Sequence, residues 1–132
     1  MPNPAEDMVT HIAGLIGSLT AGTNIFASRV RAPRGDVPSD AVFVWAEPGQ
    51  QPDRSMQEVD EIRWPIVMVH VRNARQKTGS DLSQSIFNTL RGTVPTGYLW
   101  LASTGSAPLD IGYDSDGRHQ FVMAFRVPYL ET

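Results

Sequence analysis

Three histidines are the side chains of this 132-residue chain best suited to acid-base or metal chemistry. They are His11, His70 and His119, and no two of them have the close spacing of metal ligands. The chain has no cysteine, which excludes thiolate zinc ligands, disulfides and cysteine nucleophiles. No serine has the Gly-x-Ser-x-Gly context of a nucleophile elbow. We therefore expect the histidines to be ordinary packed residues and the chain not to be an enzyme.

A short aspartate run before Gly117 is similar to the front half of a calcium-binding loop. If Asp114 and Asp116 held the third and fifth positions, the first would be Gly112 and the twelfth Met123. Neither residue supplies a carboxylate, so the calcium register fails. Asp116 followed by Gly117 instead predicts a tight hairpin turn. Glycine-rich phosphate loops do not occur in the sequence either, and we expect no metal and no cofactor.

The charged residues are spread along the chain without a basic cluster. Eleven lysines and arginines stand against 14 aspartates and glutamates, which gives a net charge of -3. A nucleic-acid reader would concentrate cations on one surface to contact phosphates. All cations except Lys77 are arginines. Arginine suits protein interfaces because its planar guanidinium is weakly hydrated and pairs with carboxylates, so the pattern favours protein partners.

No segment has the pattern of a signal peptide or a membrane span. The first residues carry no basic region ahead of an apolar run. No apolar run approaches the roughly 20 residues that a transmembrane helix needs. We therefore expect a soluble protein with no membrane partner, assembled in a cytoplasm.

Two amphipathic helices and several strands are predicted. The first helix begins with Asn3 as its N-cap and Pro4 at the first helical position, and it runs to about Leu19. The second covers residues 80–91, with Ser80 as its N-cap and Gly92 ending it. Strands are predicted at residues 25–31, 41–45, 62–72, 98–102 and 120–129.

The last strand has the clearest period of two in the chain. Its apolar positions share one face and are Phe121, Met123, Phe125, Val127 and Tyr129. The mixture of strands and helices, without a regular strand-helix alternation, predicts a single α+β domain over residues 1–132.

A long loop is predicted between the second and third strands, at residues 46–61. The segment carries Pro48, Gly49, Pro52, three glutamines and mixed charge, without an apolar period. Loops of this length are uncommon in compact domains and usually have a function. We expect the loop to be the docking surface, with the hairpin around Asp114 to Arg118 as the alternative. The predicted contact residues are Glu47, Gln50, Gln51, Asp53, Arg54, Met56, Val59, Asp114 and Arg118.

The order of elements resembles the tail terminator (tail completion, or minor capsid) proteins of long-tailed bacteriophages. The matching stretches are Ala-Val-Phe-Val-Trp at 41–45 and Ile-Val-Met-Val-His-Val-Arg at 66–72, which leads through Gly79 into a helix at 81–90. Leu-Asp-Ile-Gly-Tyr-Asp at 109–114, followed by Gly117-Arg118 and the last strand, is similar to the closing hairpin of the family. The resemblance covers nearly the whole chain.

The resemblance implies a mixed, mostly antiparallel sheet of four to five strands with two helices packed on one face. It implies a structural virion protein that forms a ring of six copies at the top of the tail. Such a ring ends tail-tube polymerisation and provides the head-tail joining surface, so its partners are other copies, the tail tube protein and a head-completion or connector protein. DNA would pass through the lumen without specific binding. The family needs no catalytic residue.

Two alternatives share the size and composition of this chain. One is a head-completion or connector protein of the phage neck. The other is a small cytoplasmic protein-binding domain, monomeric or dimeric. The mass of the purified chain, alone and mixed with tail tube protein, separates them.

Overall fold

A computed structural model describes residues 3–29, 38–54 and 61–131 of the chain, and for residues 50–54 it describes the backbone only. Two helices and a mixed sheet of seven strands confirm the α+β class, but the sheet is larger than the predicted four to five strands. The elements are α1 (Pro4–Leu15), β1 (Ile25–Phe26), β2 (Ala41–Arg54), β3 (Glu61–Asn73), α2 (Gln76–Leu90), β4 (Ala102–Ser103), β5 (Leu109–Tyr113), β6 (His119–Arg126) and β7 (Tyr129–Glu131).

The sheet has the strand order β1-β2-β3-β6-β4, with β5 also pairing with β6 and β7 with β3. Among the strands that the structure describes, β1–β2 is the one parallel pair. β6 and β7 keep one register along β3, since Arg126 pairs with Ile66 and Tyr129 with Arg63. The strand predicted at 120–129 is split at residues 127–128, because Val127 donates to the Pro65 carbonyl at 3.3 Å but Pro65 has no N–H to donate in return. This split accounts for one of the extra strands.

The helices begin and end differently from the prediction. At α1 the predicted start is confirmed, because the Asn3 side chain accepts a hydrogen bond from the Glu6 backbone at 3.2 Å. The helix ends at Leu15, well before Leu19, where glycines and a serine weaken the helical preference. At α2 the predicted Ser80 cap is wrong, since the helix begins at Gln76. An Asx turn, in which the Asn73 side chain accepts from the Arg75 N–H at 2.9 Å, leads into this helix.

Both helices pack on one face of the sheet and share one core with it. The buried core residues of the helices include Met8, Ile12, Ile86, Phe87 and Leu90. They meet alternate residues of the strands, which are Val42, Val44, Val67, Val69, Val71, Phe121, Met123 and Phe125. Val127 and Tyr129 belong to the same cluster, so the predicted buried face of 121–129 is confirmed. The period of two in each strand decides which residues meet the helices.

The predicted loop at 46–61 is wrong over residues 46–54, which continue β2 to Arg54, and residues 55–60 lie outside the described part of the chain. The β2–β3 register shifts between Glu47 and Gln50 and again between Gln50 and Asp53. At each shift two residues of β2 oppose one of β3, which is the geometry of a β-bulge. Pro48-Gly49 and Gln51-Pro52 occupy these bulges, where a residue without a ladder partner is tolerated. We call residues 46–54 and 61–65 the arm.

Two other predicted strands are shorter in the structure. The strand predicted at 25–31 is β1, limited to Ile25–Phe26, and residues 30–31 lie outside the described part of the chain. The strand predicted at 98–102 begins only at Ala102. Tyr98 instead closes a turn, since its N–H donates to the Pro95 carbonyl at 3.1 Å, and its hydroxyl donates to the Asp7 carboxylate at 2.6 Å.

Candidate functional site

The sheet face that points away from the helices, which we call the open face, carries a second set of apolar side chains. Phe26, Ala41 and Phe43 form a small buried cluster there, with Trp45 packed against it. Two arginines lie on these rings: Arg29 is 5.4 Å from the centre of the Trp45 ring, and Arg72 is 4.8 Å from that of Phe43. The open face is therefore covered in part by cationic side chains.

Arg72 is almost fully buried, with 1% of its surface exposed. Its Nε donates to the Ser39 carbonyl at 3.0 Å, and its Nη2 donates to the Pro38 carbonyl at 2.9 Å. Hydrogen bonds from a charged donor to backbone carbonyls are strong in a buried setting. Arg72 therefore fixes residues 38–39 beside the open face.

His70 lies at the centre of the open face, between Phe43 and Trp45. Its Nε2 is 3.0 Å from Gln120 Oε1 and donates to it, while Nδ1 is buried and has no hydrogen-bond partner among the described residues. Burial lowers the pKa of His70, the hydrogen bond to Gln120 opposes this, and the cation of Arg72 lowers it further. The folded protein therefore favours a neutral imidazole.

The lowered pKa of His70 predicts a loss of stability in mild acid. In the unfolded chain His70 binds a proton below the ordinary histidine pKa of about 6.5, whereas in the folded chain it stays neutral until its lower pKa is reached. The free energy of unfolding therefore falls as the pH drops from about 6.5 to the pKa of the folded state. His70→Gln keeps a donor toward Gln120 but cannot titrate. Urea unfolding at about pH 7.5 and about pH 5.5 should show a smaller loss for His70→Gln than for the wild type. Equal losses in the two proteins would contradict this assignment.

The predicted hairpin turn at Asp116-Gly117 is confirmed. The Asp114 N–H donates to the Arg118 carbonyl at 2.9 Å, and Gly117 has a φ of +78°. Arg118 is buried and donates to the carboxylates of Asp114 at 2.8 Å and Asp116 at 2.9 Å. Desolvation opposes ionisation of Asp114, but backbone N–H donors and Arg118 outweigh it and lower its pKa. Arg118 and Asp114 therefore hold the turn together, and their use as partner contacts stays a prediction.

The other predicted contact residues lie on the arm or next to it. Glu47 accepts a hydrogen bond from Trp45 Nε1 at 2.8 Å and pairs with Arg29 at 3.2 Å. The structure describes only the backbone for Gln50, Gln51, Asp53 and Arg54, all of them in β2. Met56 and Val59 lie outside the described residues. The docking role of this segment stays a prediction.

Sequence reasoning missed a group of exposed side chains at the β4 edge of the sheet. We call Leu99, Trp100, Arg126 and Leu130 the knob. Their apolar members are 51%, 38% and 48% exposed, respectively. The Leu99 N–H donates to the Pro128 carbonyl at 2.8 Å, which holds this segment beside β7. The Trp100 ring packs edge-on against Trp64 of β3, with ring centres 5.8 Å apart, and no sequence period predicts a contact between residues so far apart in the chain.

A groove lies at the opposite edge of the sheet, between α1 and β1. It has a volume of about 500 Å³ and is lined by Glu6, Val9, Thr10, Ile25, Phe26 and Ser28, among others. Val9 and Ile25 are buried on its apolar floor, whereas Glu6 and Thr10 are exposed at its rim. Volumes of about 300–1,000 Å³ are typical of pockets that accept a small-molecule ligand.

Within residues 3–29, 38–54 and 61–131, no three His, Asp or Glu side chains come together as a possible metal site. In the same residues, no helix has both the length and the apolar character needed to cross a membrane.

Neither a scan against protein-family models nor a search of curated proteins found a match for this chain.

Proposed function

We propose that this chain is a structural virion protein that forms a ring of six copies at the top of a phage tail. The ring ends tail-tube polymerisation and provides the surface that joins the head. The observation that carries the proposal is the pair of non-equivalent surfaces, the knob and the groove, at opposite edges of one sheet. The resemblance to tail terminator proteins supplies the context of a phage neck.

Two different surfaces on one subunit are what a ring requires. Head-to-tail contacts use one patch of a subunit and a different patch of its neighbour, and they close when the rotation between neighbours divides a full turn. A two-fold dimer would instead use one self-complementary patch on both copies. The exposed leucines and tryptophan of the knob are the residue types that proteins commonly bury against a partner.

The charge of the chain suits a ring through which DNA passes. A net charge of -3 means that a ring of identical copies is acidic as a whole. Phosphates bind tightly to surfaces that concentrate lysine and arginine. An acidic ring therefore lets DNA move through its lumen without being held.

The assembly is tested by mass measurement of the purified chain, alone and mixed with tail tube protein. We expect a species of six 14.5-kDa chains, either alone or on the end of the tube, and shorter tubes when the chain is added early. Labelled protein in virions should appear only where the tail meets the head. Binding to a connector ring but not to the tube would indicate the head-completion alternative. A monomer under all these conditions would rule out the ring.

A further inference from the structure

We infer that the ring closes when the knob of one copy inserts into the groove of the next copy, with Arg126 of the first facing Glu6 of the second. This inference rests on the proposed ring and identifies its two contact surfaces. The occupant of the groove is a second copy of this chain.

The placement of the two surfaces fits head-to-tail assembly. β1 is one edge strand in the order β1-β2-β3-β6-β4, and β4 is the other. The groove is lined by Ile25 and Phe26 of β1, while Trp100 lies two residues before β4. The knob and the groove are therefore separated by the width of the sheet. One copy can engage a neighbour on each side at the same time.

The two surfaces are of matching chemical type. The knob presents the outer side of the Trp100 indole, whose inner side packs edge-on against Trp64 of the same chain, with leucines beside it. The groove has an apolar floor of Val9 and Ile25. A few residues contribute most of the binding energy of a protein–protein interface, and tryptophan and arginine are enriched among them. Such residues usually insert into well-packed pockets of the partner. The knob contains one residue of each type.

The charges of the two surfaces are complementary. α1 carries Glu6 and Asp7 and contains no lysine or arginine. Asp7 already accepts the Tyr98 hydroxyl at 2.6 Å. In the part of the chain that the structure describes, neither the Glu6 carboxylate nor the Arg126 guanidinium has an ion-pair partner, and both residues are exposed. Each charge can therefore pair with the other across a contact between copies.

Contact through side chains is also favoured over addition of strands at the sheet edges. The outer edge of β2 is interrupted by bulges that contain Pro48 and Pro52. β5 has a register shift near Gly112, whose φ is +89°. Prolines and bulges on edge strands are devices that prevent strand pairing between molecules. The edges are therefore poor templates for strand addition by a second copy.

Charge reversal tests the pairing of Glu6 with Arg126. Glu6→Arg and Arg126→Glu should each raise the concentration for half-assembly about tenfold, because each places like charges together. The combined variant, Glu6→Arg with Arg126→Glu, should return to within about threefold of the wild type, because the pair is restored with its sign exchanged. Additive weakening in the combined variant would overturn the pairing.

Truncation of the knob tests the role of Trp100. Trp100→Ala should raise the concentration for half-assembly about 100-fold, as expected when a buried interface tryptophan is removed. Tyr113→Ala is the matched control, since Tyr113 is an aromatic residue that is 71% exposed and lies outside both surfaces. Circular dichroism and the melting temperature of each purified variant establish that it is folded before assembly is measured.

Crosslinking reports the head-to-tail geometry directly. Because the chain has no cysteine of its own, cysteines introduced as Glu6→Cys and Arg126→Cys are the only ones present. With a short bismaleimide, the double variant should give a ladder of products up to the closed ring. A mixture of the two single variants should stop at dimers that contain one of each.

The outcomes separate this inference from the proposed function. A wild type that never assembles overturns both. The inference alone is overturned if the wild type forms rings, Trp100→Ala and Arg126→Glu form them equally well, and the double-cysteine variant gives no ladder. The proposed ring would then remain supported.

Discussion

Replacement of Phe125 by alanine is expected to lower the free energy of unfolding by about 3–5 kcal/mol. Phe125 is fully buried in β6, and its ring centre is 6.1 Å from that of Phe87 in α2. Its backbone lies between Val67 of β3 and Ser103 of β4, so its side chain stands where α2 meets the sheet. The alanine variant would lack the free energy gained by burying the phenyl ring. It would also contain a cavity, because the closely packed strands cannot move enough to fill the space. Urea or guanidinium unfolding measures the loss.

A loss of this size matters because whole domains are stable by only about 5–15 kcal/mol. We therefore expect Phe125→Ala to assemble poorly, through a lower population of folded subunits and not through a change of surface. Phe125→Leu should cost less, because more of the apolar volume is kept. Tyr113→Ala, at a position 71% exposed, should change stability by less than about 0.5 kcal/mol. A Phe125→Ala protein as stable as these controls would show that the core is not packed as described.

Replacement of Gly49 by alanine is expected to cost about 2–4 kcal/mol and to disrupt pairing along the arm. Gly49 has a φ of +67°, a conformation that side chains with a Cβ adopt at a cost. A Cβ at this position would also overlap the Trp64 carbonyl oxygen, which belongs to the opposite strand and cannot rotate away. The bulge would have to rebuild, and the pairs from Gln50 to Arg54 depend on it.

Gly14→Ala is the matched control for this substitution. Gly14 lies in α1 with nothing within 4 Å of the added Cβ, so alanine should stabilise the protein by about 0.5–1 kcal/mol. Hydrogen exchange locates the effect: amide protection in the Gly49→Ala protein should fall in residues 47–54 and 61–65 and be kept in α2. Unchanged protection of the arm would mean that the bulge adapts without rebuilding.

Local chemistry in the sequence was enough to predict several elements. The start of α1 follows from Asn3 and Pro4, because an N-cap acceptor and a proline without an N–H both suit the first helical turn. The hairpin turn follows from Asp116-Gly117, since glycine adopts the positive φ that the turn requires. The buried face of 121–129 follows from a strict period of two. In each case a few neighbouring residues carry the whole signal.

The arm shows why local signals fail elsewhere. Prolines, a glycine and glutamines at 48–52 indicate a loop when each residue is judged by its own preference. Pairing with β3 overrides that preference, because two bulges take up the residues that cannot donate to the ladder. The Ser80 cap failed for a similar reason, since the hydrogen bond from the Arg75 N–H to Asn73 sets an earlier turn.

By itself, the sequence determined the α+β class, the core face of the last strand and the closing turn, because these depend on residues close together in the chain. The knob and the groove were decided only by the tertiary structure. Trp100 packs against Trp64 of β3, and a hydrogen bond from the Leu99 N–H to the Pro128 carbonyl holds its segment in place. Glu6 reaches the rim of the groove because α1 packs beside β1. Contacts between distant residues follow from the strand order, and no local pattern of residues encodes that order.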